Sequence, residues 1–318
     1  MIVTFTPNPS LDRTVTIEGE LHPGAVHRTR AEAVDPGGKG INVGLGLARA
    51  GVDSVAVFPA PMDDLLLTLL EQHGLKYRAT AVSRPVRTNL AIISQPAVTT
   101  KVNESGGSLT SDEVERLVQD LLQRACNADS VMMCGSLAPG MPRDLYGTLV
   151  RWFRKRDIWV GVDTAEEPLV ALMEGAPAAA PDFLKPNTHE LGQLTGLDAE
   201  ELEQRALAGD LTSVTQAASA LRGQGVSEVL VSLGAAGALL ACGEGTWYSP
   251  SPDVRVVSTV GAGDSAVAGY LIARHKGLHP SLRLAYAVGY GAAAASMPGT
   301  TIPTLRQVSV SPERVVAR

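Results

Sequence analysis

Aromatic residues are scarce in this chain, 4% of 318 positions, and lysine and arginine nowhere gather into a long run. Stacking platforms and basic stripes, the usual means of gripping nucleic acid, are thus both missing. A net charge of -6 argues equally against an anionic membrane surface as partner. No apolar stretch approaches the roughly 20 residues of a membrane-spanning helix. The only cysteines are Cys126, Cys134 and Cys242, widely separated and odd in number. That argues against a disulfide framework or a zinc site and predicts small buried side chains in a reducing compartment. Residues Met1–Asn8 run straight into a strand-like pattern with no basic segment, so no signal peptide is expected and the cytoplasm is the expected location.

What is present is a hydrophobic fraction of 45%, ample for a core, on a length that suits two domains or one large domain with an appendage. Ile2–Thr6 predicts a first strand. Val15, Ile17 and Val26 then alternate with polar neighbours around a turn at His22-Pro23-Gly24, the pattern of a hairpin with one wet face. Residues 87–94 and 99–103, joined around Gln95-Pro96, repeat that pattern and group with it as a small separate sheet. From Ser111, expected to cap a helix, the rhythm becomes alternating. Residues 130–134, 158–162, 183–185, 229–233 and 238–241 read as strands, and 142–156, 211–223 and 281–296 as helices. Such alternation predicts a mostly parallel sheet covered on both faces. Roughly the last eight residues are expected to fray.

The most informative stretch is Val254–Ser265. Val254–Val257 reads as a strand, Gly261-Ala262-Gly263 as a tight turn, and Val267, Tyr270 and Leu271 as the apolar face of a following helix. Glycines let a ligand approach the backbone, and the free amides of a helix's first turn form an anion site. Asp264 in that turn is either a helix cap or a base that takes a proton from an acceptor hydroxyl. The same glycines fit a loose dinucleotide fingerprint, but that requires an acidic residue about 20 positions on. None occurs between Asp264 and Glu313, so the dinucleotide reading fails.

Other stretches offer ligand groups. Gly37-Gly38-Lys39-Gly40-Ile41-Asn42 is a second glycine turn entering a helix, without the spacing of a phosphate-binding Walker loop. It is a plain helix start or a seat for a polyhydroxylated ligand. Asp12, after the first strand, is a turn residue or a holder of two sugar hydroxyls. Asn187 and Glu190, following Lys185, form a capping box or organise Mg²⁺ through water. Ser232, Gly234 and Gly237 make a hairpin turn or a bed for an adenine nucleotide.

Together, Gly37-Gly38-Lys39-Gly40 with Asn42, and Ser258 through Asp264, resemble the two signatures of the PfkB branch of the ribokinase-like carbohydrate kinases. The similarity runs from Thr6 to about Thr301. Thr6–Asp12, Arg87-Thr88-Asn89, Asn103-Glu104 and Cys134–Gly140 resemble the 1-phosphofructokinases and tagatose-6-phosphate kinases within it. The resemblance implies an α/β fold, a doubly wound mostly parallel sheet over residues 1–11, 35–86 and 104–318, with an inserted β lid at 12–34 and 87–103. It implies ATP-dependent phosphorylation of a ketohexose phosphate, with fructose 1-phosphate ahead of tagatose 6-phosphate. A catalytically silent sugar-phosphate sensor on the same fold is the alternative of a different class. Mapped onto this chain, Asp264 is the base and Gly261, Ala262 and Gly263 the anion hole. Asp12, Gly38, Asn42 and Asn89 face the sugar, with Lys39 and Arg87 on its phosphate. Lys185, Asn187, Ser232, Gly234 and Gly237 face the nucleotide, and Glu190 the Mg²⁺. A potassium requirement is left open, and a homodimer through the lid is implied. Residues 58–63, 104–107 and 163–167 depart from the family pattern; Asp163-Thr164-Ala165-Glu166-Glu167 stands where Asp-Thr-Ser-Gly is usual.

Overall fold

The computed structural model describes residues 1–95 and 98–318. In chain order the first elements are β1 (Ile2–Phe5), β2 (Ser10–Ile17), β3 (Thr29–Gly37), α1 (Lys39–Arg49), β4 (Ser54–Ala60), α2 (Leu65–Gln72) and β5 (Tyr77–Ala81). There follow β6 (Arg87–Ser94), β7 (Val98–Asn103), α3 (Ser111–Ala125), β8 (Ser130–Cys134), α4 (Leu145–Arg154), β9 (Trp159–Asp163) and α5 (Glu166–Glu174). Next come β10 (Phe183–Leu184), α6 (Thr188–Thr195), α7 (Ala199–Leu207), α8 (Thr212–Gly223), β11 (Glu228–Ser232) and β12 (Ala238–Cys242). The chain ends with β13 (Gly245–Ser249), α9 (Ala262–His275), α10 (Pro280–Ala295) and β14 (Val316–Ala317).

The main sheet has the order β14-β13-β12-β11-β10-β9-β8-β1-β4-β5 and is parallel from β5 through β11, then antiparallel to its β14 edge. Strand side chains alternate between faces, which sorts the core into two layers. Val3 and Phe5 point to one layer with Leu117, Tyr146, Leu172 and Leu221; Ile2 points to the other with Val43, Leu47, Val267 and Leu284. Helices α3 to α8 therefore cover one face and α1, α9 and α10 the other, the doubly wound arrangement the alternating sequence predicts. A second sheet, β3-β2-β6-β7, pairs β2 with β6 in parallel and is otherwise antiparallel. It runs back to Ser10 and Gly37, closer to the main sheet than residues 12–34. Among the described residues no helix is long and apolar enough to cross a membrane.

Several local expectations are corrected. Val254–Val257 is not a strand: Val256 and Val257 are exposed, and the backbone is tied only where the Val257 and Ser258 amides bond the Ala295 carbonyl. The β propensity of three valines is unused because β13 and β14 already occupy that edge of the sheet. The C-terminus is not frayed throughout, since Val316 and Ala317 pair with Tyr248 and Trp247. The α3 cap is Thr110 rather than Ser111, in a reciprocal box with Glu113. Cys126 is exposed, whereas Cys134 and Cys242 are buried. Strands β5 and β13 and helix α7 carry no clear sequence signal and were not expected. The turn placed at Gln95-Pro96 falls partly on residues outside those described.

One of the family departures has a backbone cost. Glu166, at the position where glycine is usual, opens α5 with φ of 56°. A residue with a Cβ is strained in that left-handed region by roughly 1–2 kcal/mol. Glu166→Gly should raise unfolding free energy by about 0.5–1 kcal/mol, after allowing for glycine's larger unfolded-state entropy. Denaturant melts of the two proteins check this, and an unchanged or lowered midpoint would contradict the strain.

Candidate active site

The parallel strands deliver their C-terminal ends to one edge of the sheet, where open α/β folds bind ligands. Asp163 ends β9, Lys185 follows β10, and Ser232 ends β11. Lys39 is the first residue of α1 and Asp264 lies in the first turn of α9, so helix starts supply the opposing groups. Asp163 is fully buried, Lys185 nearly so, and Lys39 about a third exposed. Lys39 Nζ stands 3.0 Å and Lys185 Nζ 3.4 Å from the same Asp163 oxygen, Oδ1. Asn42, one turn along α1 from Lys39, donates Nδ2 to Asp264 Oδ2 at 2.8 Å.

The electrostatics follow from this crowding. Burial disfavours the Asp264 carboxylate and pushes its pKa up to about 6; Lys39 opposes, Asp163 adds to the rise, and the Asn42 bond opposes it. An isolated aspartate would titrate near 3.9. Asp264 is thus a stronger base than expected, yet still mostly ionised at neutral pH. Burial also works against the charges of Asp163 and Lys39. Lys185 and Lys39 nevertheless hold the Asp163 carboxyl below its ordinary value. Asp163, Asp264 and Glu190 hold the Lys39 ammonium above its own.

The glycine turn before α9 behaves as the sequence suggests. Gly261 caps the helix with φ of 75°, a left-handed conformation suited to glycine, and its side-chain-free start leaves no cap other than backbone. Helical bonding begins with Ser265 N on Gly261 O at 2.9 Å, so the amides of Gly263 and Asp264 come before it. Lys185 Nζ passes 3.7 Å from where a Gly263 Cβ would sit, placing a cation beside those amides. Asp264 does not cap the helix with its side chain, which is spent on Asn42 instead.

A second group assembles at the small sheet, the candidate lid. Strand register puts Asp12 opposite Asn89 and Ser10 opposite Arg87. Asp12 Oδ1 accepts from Ser10 Oγ at 2.8 Å and Asn89 Nδ2 at 3.0 Å. Burial still raises its pKa, against the pull of those two bonds and of Arg87. The carboxylate rests on bare backbone: a Cβ on Gly37 would lie 2.4 Å from Asp12 Oδ1. Gly38 follows with φ of 106° as the cap of α1, so the glycine pair joins this group to Lys39. A cavity of about 210 Å³ lies between the lid, including Asp12 and Asn89, and the loops at Val257–Val260 and Pro298–Thr300.

Not every predicted residue is free for a ligand. Arg87 donates Nη1 to Glu104 O at 2.9 Å and Nη2 to Asn8 O at 3.3 Å, stitching two backbone segments together, while its buried Nε has no partner among the described residues. Asn187 and Glu190 do form the reciprocal cap, Asn187 Oδ1 accepting from Glu190 N and Glu190 Oε2 from Asn187 N, each at 2.8 Å. Ser232 bridges to Asn187, but a Gly237 Cβ would strike Ser249 O at 2.1 Å, so that glycine is required by close packing. Glu166 and Glu167 are exposed, Glu167 facing Arg143 at 3.7 Å. Two contributors were not foreseen in these roles. From sequence, Gly37 is one of two adjacent glycines suited to a ligand lying close to backbone, whereas its close approach here is to the Asp12 carboxylate. Asp163 was noted only as part of a departing loop, although an aspartate closing a predicted central strand is buried by position and must find cations.

A buried carboxylate with a raised pKa, open helix-start amides and two lysines about a strand end are the groups that phosphoryl transfer by a sugar kinase calls for. The comparisons agree with that class. The chain belongs to the pfkB family of carbohydrate kinases, whose family model matches residues 8–307. It is 37% identical to the 1-phosphofructokinase of Rhodobacter capsulatus over 300 residues, covering 92% of this chain and 90% of that one. It is 34% identical to the 1-phosphofructokinase of Escherichia coli (strain K12) over 305 residues, covering 94% and 93%. Among solved structures, phosphofructokinase-2 from Escherichia coli in complex with substrates and products superposes with a TM-score of 0.86 at 27% identity, over 96% of each chain. The protein is a phosphotransferase acting on sugars, and membership implies ATP with a divalent metal ion. The silent-sensor alternative is set aside.

The titration of Asp264 tests the geometry directly. Its carboxyl, followed by NMR, should titrate with a midpoint at about 6. Because Asn42 donates to the anion, Asn42→Leu should move that midpoint upward. A midpoint near the ordinary value of about 3.9 would contradict the burial that sets it.

Proposed function

We propose that this enzyme transfers the γ-phosphoryl group of Mg·ATP to O6 of fructose 1-phosphate, giving fructose 1,6-bisphosphate and ADP. The placement of Asp264 carries the reading: a buried, ionisable carboxylate at the open start of α9, hydrogen-bonded to Asn42 and facing Lys39. The names of the relatives, both above 30% identity across most of the chain, support the acceptor.

In this scheme the acceptor hydroxyl attacks the γ-phosphorus while Asp264 takes its proton. The bond from the γ-phosphorus to the bridging oxygen breaks, and ADP leaves with that electron pair. The open amides of Gly263 and Asp264 and the Lys185 ammonium would meet the negative charge that grows on the transferring group, while the Ala262 amide is bonded to Thr259 O. Lys185, Asn187, Ser232 and Gly234 face the nucleotide, while Gly237 supports that turn by packing. Asp12, with Asn89 behind it, holds sugar hydroxyls from the lid, and Gly38 lets the sugar lie close to backbone. Lys39 and Arg87 attract the phosphate already on the sugar. With two donors held by carbonyls, Arg87 is pre-ordered rather than free, and its guanidinium charge acts on the phosphate from that fixed position.

Among the described residues no group of three or more His, Cys, Asp or Glu is placed to chelate a metal. That fits Mg²⁺, which binds nucleotide phosphates while keeping several waters and needs only one or two carboxylates. Glu190 would meet such an ion through water with the oxygen not spent on its cap. When bound, Mg²⁺ supplies charge neutralisation on the phosphates. Potassium is a reasonable second ion on the precedent of phosphofructokinase-2, a complex of which with potassium has been solved. We also propose a homodimer through the lid, where Val98 and Val102 lie exposed on β7, and a cytoplasmic location.

Three experiments decide between readings. ATP turnover should be greatest with fructose 1-phosphate in a panel that includes fructose 6-phosphate, tagatose 6-phosphate and ribose; preference for tagatose 6-phosphate would reassign the acceptor. Asp264→Asn should lower kcat by about 10²–10⁴-fold, roughly 3–5 kcal/mol of barrier, with nucleotide binding nearly unchanged. Near-normal kcat in that variant would remove Asp264 as the base. Arg87→Ala should raise KM for the sugar phosphate much more than KM for ATP, and equal rises would place Arg87 outside the acceptor site.

A further inference from the structure

Asp163 has no part in the chemistry above, yet it sits at the centre of the charged groups. Its backbone is fixed: the carbonyl accepts from Gly135 N at 2.8 Å, and β9 lies between β8 and β10 in the sheet. Thr164 Oγ1 and the Tyr146 hydroxyl both donate to Gly135 O at 2.8 Å, locking the adjoining strand end. One rigid oxygen, Oδ1, therefore meets two lysines that arrive on flexible stems from different elements, while Oδ2 has no hydrogen-bond partner among the described residues. Cys134 from β8, Glu190 from α6 and Asp264 from α9 are the remaining titratable groups around it. Two ammonium groups this close repel strongly in a buried setting unless an anion stands between them.

We propose that Asp163 is a positioning residue that couples the two substrate sides: by sharing one carboxylate oxygen between Lys39 and Lys185, it makes the charge each lysine offers its substrate depend on the other. The inference rests on the assignment of Lys39 to the sugar phosphate and Lys185 to the nucleotide. With both lysines present, one negative charge is divided between them. When Lys39 is removed, Asp163 turns wholly to Lys185, which then offers less to the nucleotide phosphates. Lys39 should thus influence ATP binding although it faces the other substrate.

Steady-state kinetics of the intact enzyme with Mg·ATP and fructose 1-phosphate test this through Lys39→Met, Asp163→Asn and the double variant. Lys39→Met should raise KM for the sugar phosphate by about tenfold or more and KM for ATP by about threefold, within the range of couplings between contacting buried groups. Asp163→Asn should raise both KM values, and adding Lys39→Met to it should leave KM for ATP where it is. A purely structural Asp163 would lower thermal stability but leave the effects of the two substitutions on KM for ATP additive, and additivity overturns the proposal. Should Asp163→Asn fail to fold, calorimetric binding of fructose 1-phosphate with and without a non-hydrolysable ATP analogue replaces it. The two ligands should then influence each other in the parent enzyme and lose most of that influence in Lys39→Met; undiminished influence overturns the proposal. Absence of turnover by the parent enzyme with every sugar would refute the kinase assignment instead, which keeps the two failures apart.

Discussion

Charge balance in a dry place is the constraint on which this structure depends. Two lysines and the carboxylates Asp163, Asp264 and Glu190 share the strand ends, and Asp163 and Lys185 are almost wholly removed from water. Any one of these charges alone would be costly to bury, and it would neutralise rather than stay ionised. Held together, the two lysines keep the Asp163 carboxyl below its ordinary value, while burial raises that of Asp264 to about 6. The doubly wound sheet makes this possible by sending residues from β9, β10, α1 and α9 to one point, though they are separated by long stretches of chain.

The lid depends on a second constraint, close approach. Asp12 can accept from Ser10 and Asn89 and still rest against the turn into α1 only because Gly37 presents no side chain there. The same turn carries Lys39 into the charged group, so the small sheet and the charged cluster are joined by two glycines. Arg87 contributes to the same joint, since its guanidinium ties Asn8 to the Glu104 segment.

Local misreadings have a common cause. Val254–Val257 has the composition of a strand but no free sheet edge to join, and Val316–Ala317 has little composition of any kind but meets β13. Strand formation is decided by partners, and partners lie far along the chain. Asn187 and Glu190 show the opposite case: the cap is local, so the spacing sufficed to predict it.

The sequence by itself determined the alternating α/β architecture, the separate small sheet and the glycine turns, and it named most of the candidate site residues, because periodicity and turn chemistry act over a few residues. It also carried Asp264 as a candidate base, with a helix cap as the open alternative. Only the tertiary structure set the cap aside, by placing Asn42 against the Asp264 carboxylate and leaving the helix without a side-chain cap. It likewise brought Lys39 and Lys185 onto one oxygen of Asp163, a residue whose importance has no local signature. Burial and long-range Coulomb interactions set the protonation and orientation of these groups, and both are properties of where distant strands end rather than of neighbouring residues.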